Sequence, residues 1–248
     1  MDYQNAIEIN NLCKAFKGFT LDNVSLSITK GTIMGFVGQN GAGKSTTIKA
    51  ILNIIKNDSG TISVFGMDHI ANERKIKQRI AAVFDENPFN DVLNAKEINA
   101  IMRRIYSKWE PHTFMNYLER FGLPINKAIG QFSKGMKMKL QIAAALSHNA
   151  ELLIMDEPTS GLDPVVRNEI LDVFEEYVKD GNHTIFLSSH ITSDLERIAD
   201  SITYIHNGRI ILSDTKENIL RSYKTLEDVL LSYVSAQSRT EWHEGRIV

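Results

Sequence analysis

Gly38-Gln39-Asn40-Gly41-Ala42-Gly43-Lys44-Ser45-Thr46 is the stretch from which the rest of the chain can be read. It matches the phosphate-loop pattern G-x-x-x-x-G-K-[ST], and its flanks are those the pattern needs. Thr32 to Val37 is a compact apolar run that reads as a buried strand, and helical character follows from Lys44 to Ile55. Glycines let successive backbone N–H groups turn toward the β- and γ-phosphates of a nucleotide, while the helix adds its positive N-terminal end. Lys44 would neutralise phosphate charge and the Ser45 hydroxyl would ligate Mg²⁺. A chance match in a chain of this kind is on the order of 1%.

A Mg²⁺-triphosphate also needs a carboxylate at the end of a neighbouring strand and a base to orient water. Leu152-Leu153-Ile154-Met155-Asp156-Glu157 supplies both. Four apolar residues bury the strand, Asp156 emerges at its carboxyl end to hold the metal's water shell, and Glu157 projects at the attacking water.

Composition bounds the rest. The 248 residues are 43% hydrophobic and 23% charged, with 28 Lys and Arg against 30 Asp and Glu and a formal charge of −2. That excludes a disordered chain and a disulfide scaffold. It also argues against a nucleic-acid partner, because there is no basic excess to neutralise a phosphate backbone. Cys13, the single cysteine, has no internal disulfide partner and fits a reducing compartment. No uncharged apolar run approaches the ~20 residues that span a bilayer, and the start MDYQNAIEIN lacks the regions of a signal peptide, so any membrane role is expected to be indirect.

Around the loop, Ala6 to Ile9 and Leu21 to Ile28 read as strands bracketing Lys17-Gly18, and Asp58-Ser59-Gly60 turns into a strand from Thr61 to Phe65. The middle is helical. Asn94 and Glu97 form a capping-box pattern before Ile98, Ile101, Met102, Ile105 and Trp109, with Pro111 stopping that helix. Phe114, Tyr117, Leu118 and Phe121 mark a second helix ended by Gly122 and Pro124, and a third starts at Ser133 and runs through Leu146. Further on, Leu152 to Met155 and Thr184 to Ser189 are apolar strands separated by a helix from Val165 to Lys179, which implies a parallel sheet covered on both faces. Asn207-Gly208 reads as a hairpin turn between Ser201 to His206 and Arg209 to Leu212. A short amphipathic helix (Val229, Leu230, Tyr233) precedes a polar tail from Ser235 to Val248.

Several segments in order resemble the ATP-binding subunits of ABC transporters over about residues 5 to 220. Ser160-Gly161-Leu162-Asp163 resembles the family's D-loop, Ser188-Ser189-His190 its H-loop, and Phe132-Ser133-Lys134-Gly135-Met136 its LSGGQ signature. Phe16 falls where the family places an adenine-stacking aromatic. The resemblance implies an α/β fold of the P-loop NTPase type: a RecA-like core with a mainly parallel sheet, an antiparallel β subdomain and an inserted α-helical subdomain. The corresponding division is 1–89 with 149–225 as core, 90–148 as the helical subdomain and 226–248 as C-terminal helix and tail.

The resemblance further implies ATP hydrolysis with ATP and Mg²⁺ as cofactors, in a head-to-tail dimer of two ATPase subunits, identical or paralogous. Glu157, His190 and Lys44 would be catalytic. Gly38 to Thr46 would bind the nucleotide of one subunit, and Ser133 and Gly135 of the other would face its γ-phosphate, with Asp163 coupling the two sites. Integral membrane subunits would be the partners, receiving the stroke at the cytoplasmic face of the membrane.

Three departures stand out. Lys134 replaces the signature's first glycine and Met136 its glutamine. Asp85, with Glu86 one residue on, replaces the Q-loop glutamine and is a candidate metal ligand beside Ser45 and Asp156. Phe16 replaces a commoner tyrosine. Such variants are similar to those of bacterial exporters of peptides, drugs and related amphipathic molecules. The alternative is a soluble ABC ATPase acting in translation or DNA maintenance, although such proteins typically carry tandem cores or a coiled-coil insertion. A GTPase would want N-K-x-D, which Asn126-Lys127-Ala128-Ile129 breaks at its last position.

Overall fold

The chain alternates at its start, takes a helical period in its middle, and carries unbroken apolar strands in the third strand and in its last third. The structure is a computed structural model that describes residues 3–232. It runs β1 (Asn5–Phe16), β2 (Phe19–Thr29), β3 (Ile33–Val37), α1 (Lys44–Ile51), β4 (Ser59–Val64), β5 (Met67–Asp68), α2 (Glu73–Lys77) and β6 (Ile80–Val83). Three helices follow: α3 (Ala95–Ile105), α4 (Pro111–Arg120) and α5 (Lys134–Leu146). The last third holds β7 (Leu152–Asp156), α6 (Pro164–Val178), β8 (Thr184–Ser189), α7 (Thr192–Ile198), β9 (Ser201–His206), β10 (Arg209–Thr215) and α8 (Lys216–Ser222). Residues 226–232 are also helical.

The sheets divide by composition. β1 and β2 alternate buried and exposed positions and join β4 and β5 in an antiparallel sheet of order β2-β1-β4-β5. The second sheet has the order β10-β9-β3-β8-β7-β6, parallel from β9 to β6 with β10 antiparallel at one edge. Its central strands lack polar alternation because both faces are covered. Met34, Phe36, Ile154 and Phe186 point into a cluster with α1 and the antiparallel sheet. Ile33, Val37, Leu153, Met155, Ile185 and Leu187 point the other way, into a cluster with α5, α6 and α7 that extends to α3 and α4. The expected parallel sheet and α/β class are therefore present, and one covering layer is itself a sheet.

Some boundaries differ from the sequence reading. The helix from Lys44 stops at Ile51 rather than Ile55, since Asn53 takes a left-handed φ of 54°. Pro111 does not stop the helix carrying Ile98; α3 already ends at Ile105, and Pro111 occupies the first turn of α4, where its missing N–H costs nothing. Trp109 lies between the two, buried, its indole N–H donating to Asn99 Oδ1 at 2.7 Å. The turn expected at Asp58 to Gly60 falls earlier, with Ser59 and Gly60 already in β4. The capping box is present: Asn94 Oδ1 accepts from Glu97 N–H, and Glu97 Oε2 from Asn94 N–H. Leu226 and Val229 are fully buried, and Tyr204 donates its hydroxyl to the Leu226 carbonyl at 2.7 Å. Tyr233 and the tail lie outside the described residues. No helix among the described residues is long and apolar enough to cross a membrane.

Candidate functional site

The phosphate loop hangs from the buried end of β3. Gly38 follows Val37 directly, and a Cβ at Gly38 would lie 2.4 Å from the Ile205 carbonyl oxygen, so the adjacent strand leaves room for glycine alone. Gly43 precedes α1 with φ 116° and gives the helix no side-chain cap. The first amides of α1 therefore have neither a carbonyl four residues back within the helix nor a capping oxygen, which is the donor set an anion takes. Ala42 N–H bonds the Gln39 carbonyl at 3.1 Å and the Thr47 hydroxyl bonds that of Gly43 at 2.9 Å, closing the loop on itself.

A turn distant in sequence clamps this loop. Gly208, in the β9–β10 hairpin, donates its N–H to the Ala42 carbonyl at 2.9 Å and accepts from Asp22 N–H at 2.9 Å. A Cβ there would meet the Thr20 carbonyl oxygen at 1.9 Å.

Lys44 is only 5% exposed. Its ammonium donates to the carbonyls of Gly38 at 2.6 Å and Gln39 at 3.3 Å, and Glu157 Oε1 lies 3.2 Å away. A buried cation demands such partners, and a carboxylate is the strongest of them. Glu157 reaches Lys44 because β7 ends at Asp156 and the next residue turns with φ 55°. Its amide donates to both the carbonyl and the hydroxyl of Ser188, at 3.2 and 3.1 Å. Ser188 in turn donates Oγ–H to Asp156 Oδ1 at 2.6 Å. One serine thus fixes both acidic residues. The other carboxylate oxygen of Glu157 accepts from the His190 ring Nδ1 at 2.6 Å and from its backbone N–H at 3.3 Å. A carboxylate acceptor places a proton on Nδ1, and the ring is about half exposed.

A cleft of roughly 440 Å³ opens here, lined by Gln39, Asn40, Gly41, Lys44 to Thr46, Glu157, Gly18 and Phe19. Ser45 lines the cleft, while Asp156 stands outside the lining at the end of β7 with Oδ1 accepting from Ser188; hydroxyl and carboxylate oxygens are the hard donors that Mg²⁺ takes. Phe16 stands outside this lining, 46% exposed, with Lys14 Nζ 5.7 Å from its ring centroid. Phe19, its partner across the hairpin, forms the aromatic wall. Asp85, which follows the edge strand β6, is also outside this lining, and its carboxylate pairs with Lys134 Nζ at 2.6 Å.

The remaining predicted residues cap helices. Ser133 caps α5, its hydroxyl accepting from Met136 N–H at 3.3 Å, and Gly135 lies in that first turn. Asp163 caps α6, accepting from Val165 and Val166 N–H at 3.1 Å each. The loop between Glu157 and Asp163 is braced by a contact the sequence did not suggest: Thr159 donates to the buried Asp194 at 2.7 Å, and Asp194 also pairs with Arg167.

The sequence profile of the ABC transporter family matches residues 21–160, more than half of the chain. The chain belongs to the ABC transporter family. Among curated relatives, this ABC protein is 40% identical over 194 residues to the bacitracin transport ATP-binding protein BcrA of Bacillus licheniformis, covering 77% of itself but only 63% of that relative. It is 36% identical over 219 residues to the lantibiotic transport ATP-binding protein SrtF of Streptococcus pyogenes, covering 86% of itself and 93% of SrtF. Among solved structures, an ATP-binding subunit of an ABC transporter superposes with a TM-score of 0.84 at 27% identity, covering 92% of this chain and 98% of that one. The ABC protein thus has the P-loop ATPase fold of its family.

Proposed function

We propose that this ABC protein is the ATP-binding and ATP-hydrolysing subunit of an exporter of peptide, drug or other amphipathic cargo, working on separate membrane subunits from the cytoplasmic face. The observation that carries the reading is the Lys44–Glu157–His190 constellation at the mouth of the phosphate loop. The relatives named for transport of bacitracin and lantibiotic support the cargo class and favour a transporter over a soluble ATPase.

The residues divide the work as follows. A triphosphate entering the cleft meets the uncapped amides of α1 and the Lys44 ammonium, which exchanges Glu157 for phosphate oxygens. Glu157, released from Lys44 yet held by His190, is left to orient the attacking water. His190, at the mouth of the cleft beside Glu157, contacts the γ-phosphate. Ser45 and Asp156 would hold Mg²⁺, which supplies charge neutralisation on the phosphates when bound. Ser133 and Gly135 act on the nucleotide of a second subunit, and Asp163 couples the paired sites. Residues 90–148 form the arm that presents Ser133, and 1–89 with 149–225 form the nucleotide core.

The membrane subunit docks in an apolar groove of roughly 410 Å³ that is lined in part by Pro88, Phe89, Leu93, Ile101 and Ile105. Ile101, Ile105 and the nearby Val92 are exposed, as a dry contact requires.

The test is Glu157→Gln in the full chain. It should bind Mg-ATP and dimerise with it in solution, as followed by light scattering. A variant that binds Mg-ATP and stays monomeric at high protein concentration would overturn the paired-site mechanism.

A further inference from the structure

Lys134 and Asp85, two of the departures from the family pattern, touch each other, with Nζ 2.6 Å from Oδ1. A cation replaces a glycine in the signature segment, and 49 residues earlier an anion replaces a neutral glutamine. The contact is part of a seam. Lys137, one turn further along α5, pairs with Asp91 at 2.9 Å. Gly130 N–H donates to the Asp91 carbonyl at 2.9 Å and Ile129 N–H to that of Leu93 at 2.8 Å. The Lys134 ammonium also abuts the loop after β7, since a Cβ built on Gly161 would meet Lys134 Nζ at 3.4 Å. Three segments therefore converge on one ammonium: residues 85–93 beside the docking groove, the N-terminus of α5, and the 160–163 loop.

We propose that Lys134 is a positioning residue that, through Asp85, sets the N-terminus of α5 relative to the docking segment, so that the two departures are a single compensated change. The inference rests on the reading of Ser133 as a group acting on the second subunit's nucleotide. Both side chains are about half exposed, so their pairing adds little to overall stability; such a pair shifts an equilibrium by up to about fivefold. That is enough to bias how Ser133 and Gly135 are presented. The ordinary nucleotide cleft, which neither residue lines, is untouched.

The test is a charge exchange in the full-length chain, comparing Asp85→Lys, Lys134→Asp and the double reversal. Three quantities are read: Mg-ATP affinity of the dilute monomer, ATP-driven dimerisation in a Glu157→Gln background, and kcat with KM. Each single reversal should weaken dimerisation and lower kcat by roughly three- to fivefold while monomer affinity stays within about twofold, and the double reversal should restore both. A reversal that does not fold is replaced by the neutral pair Lys134→Met and Asp85→Asn, whose losses should be non-additive. Silent single variants, a double reversal as impaired as the singles, or additive neutral losses would each overturn the proposal. Failure of the Glu157→Gln parent to dimerise would instead count against the function proposed above.

Discussion

At the scale of single residues the fold places its polar groups by compensation. Lys44 is buried because three oxygens surround it, and removing it leaves Glu157 facing two carbonyls. Lys44→Ala should therefore abolish measurable ATP turnover and weaken ATP binding by the loss of charge-assisted contacts of roughly 1.5–3 kcal/mol each, as calorimetry would record. Unchanged affinity would sink the phosphate-loop assignment. His148 offers a prediction in pH. It is 1% exposed, stacks on Tyr106 with centroids 3.9 Å apart, and bonds the Ile80 carbonyl through Nε2. Burial pushes its pKa down, against the opposing pull of that carbonyl. Below about pH 6.5 the unfolded chain takes up a proton at this site before the folded one does. The stability it supports is thus full above that value and declines as the pH falls toward the depressed folded value. Replacing His148 with Gln should flatten the fall in urea midpoint between about pH 7 and pH 5. Equal slopes for the two proteins would refute this account.

At the scale of elements, the middle helices depend on their ends. α3 presents Ile101 and Ile105 to the groove, and its start is fixed by the reciprocal bonds of Asn94 and Glu97. Asn94→Ala should cost about 1 kcal/mol in a denaturant titration. A surface substitution has a different signature: Ile105→Asp should lower the yield of complex recovered with the membrane subunit, and recovery at the parental level would reject the groove as the docking site.

Legibility follows the same division. The phosphate loop, the Asp156-Glu157 pair and the Asn94 box could be read because their partners lie within a few residues. The helices α2, α7 and α8 and the strands β5 and β6 do not emerge from the sequence, because two to seven residues are too short to show a period. Ser188 as the link between Asp156 and Glu157, Phe19 in the wall of the cleft, and Lys134 against Asp85 depend on which loops the sheet brings together. Local pattern carries no trace of that. The pairing of Asp85 with Lys134 on α5 spans 49 residues, and the one-dimensional pattern does not show it.

At the scale of the whole molecule, the sheet order governs when the site can exist. β3, which bears the phosphate loop, pairs with β8 on one side and β9 on the other, and the loop is clamped by Gly208. All three partners lie about 150 residues or more further along the chain. A chain cut after residue 150 should accordingly show no saturable ATP binding in calorimetry, although it contains every residue from Gly38 to Thr46; tight binding by that fragment would contradict this account. During synthesis the apolar β3 segment leaves the ribosome with neither neighbour yet made, and it must wait through most of translation before its edges are covered. For that interval the strand that carries the phosphate loop has both edges open, which makes the ATP site a late product of folding.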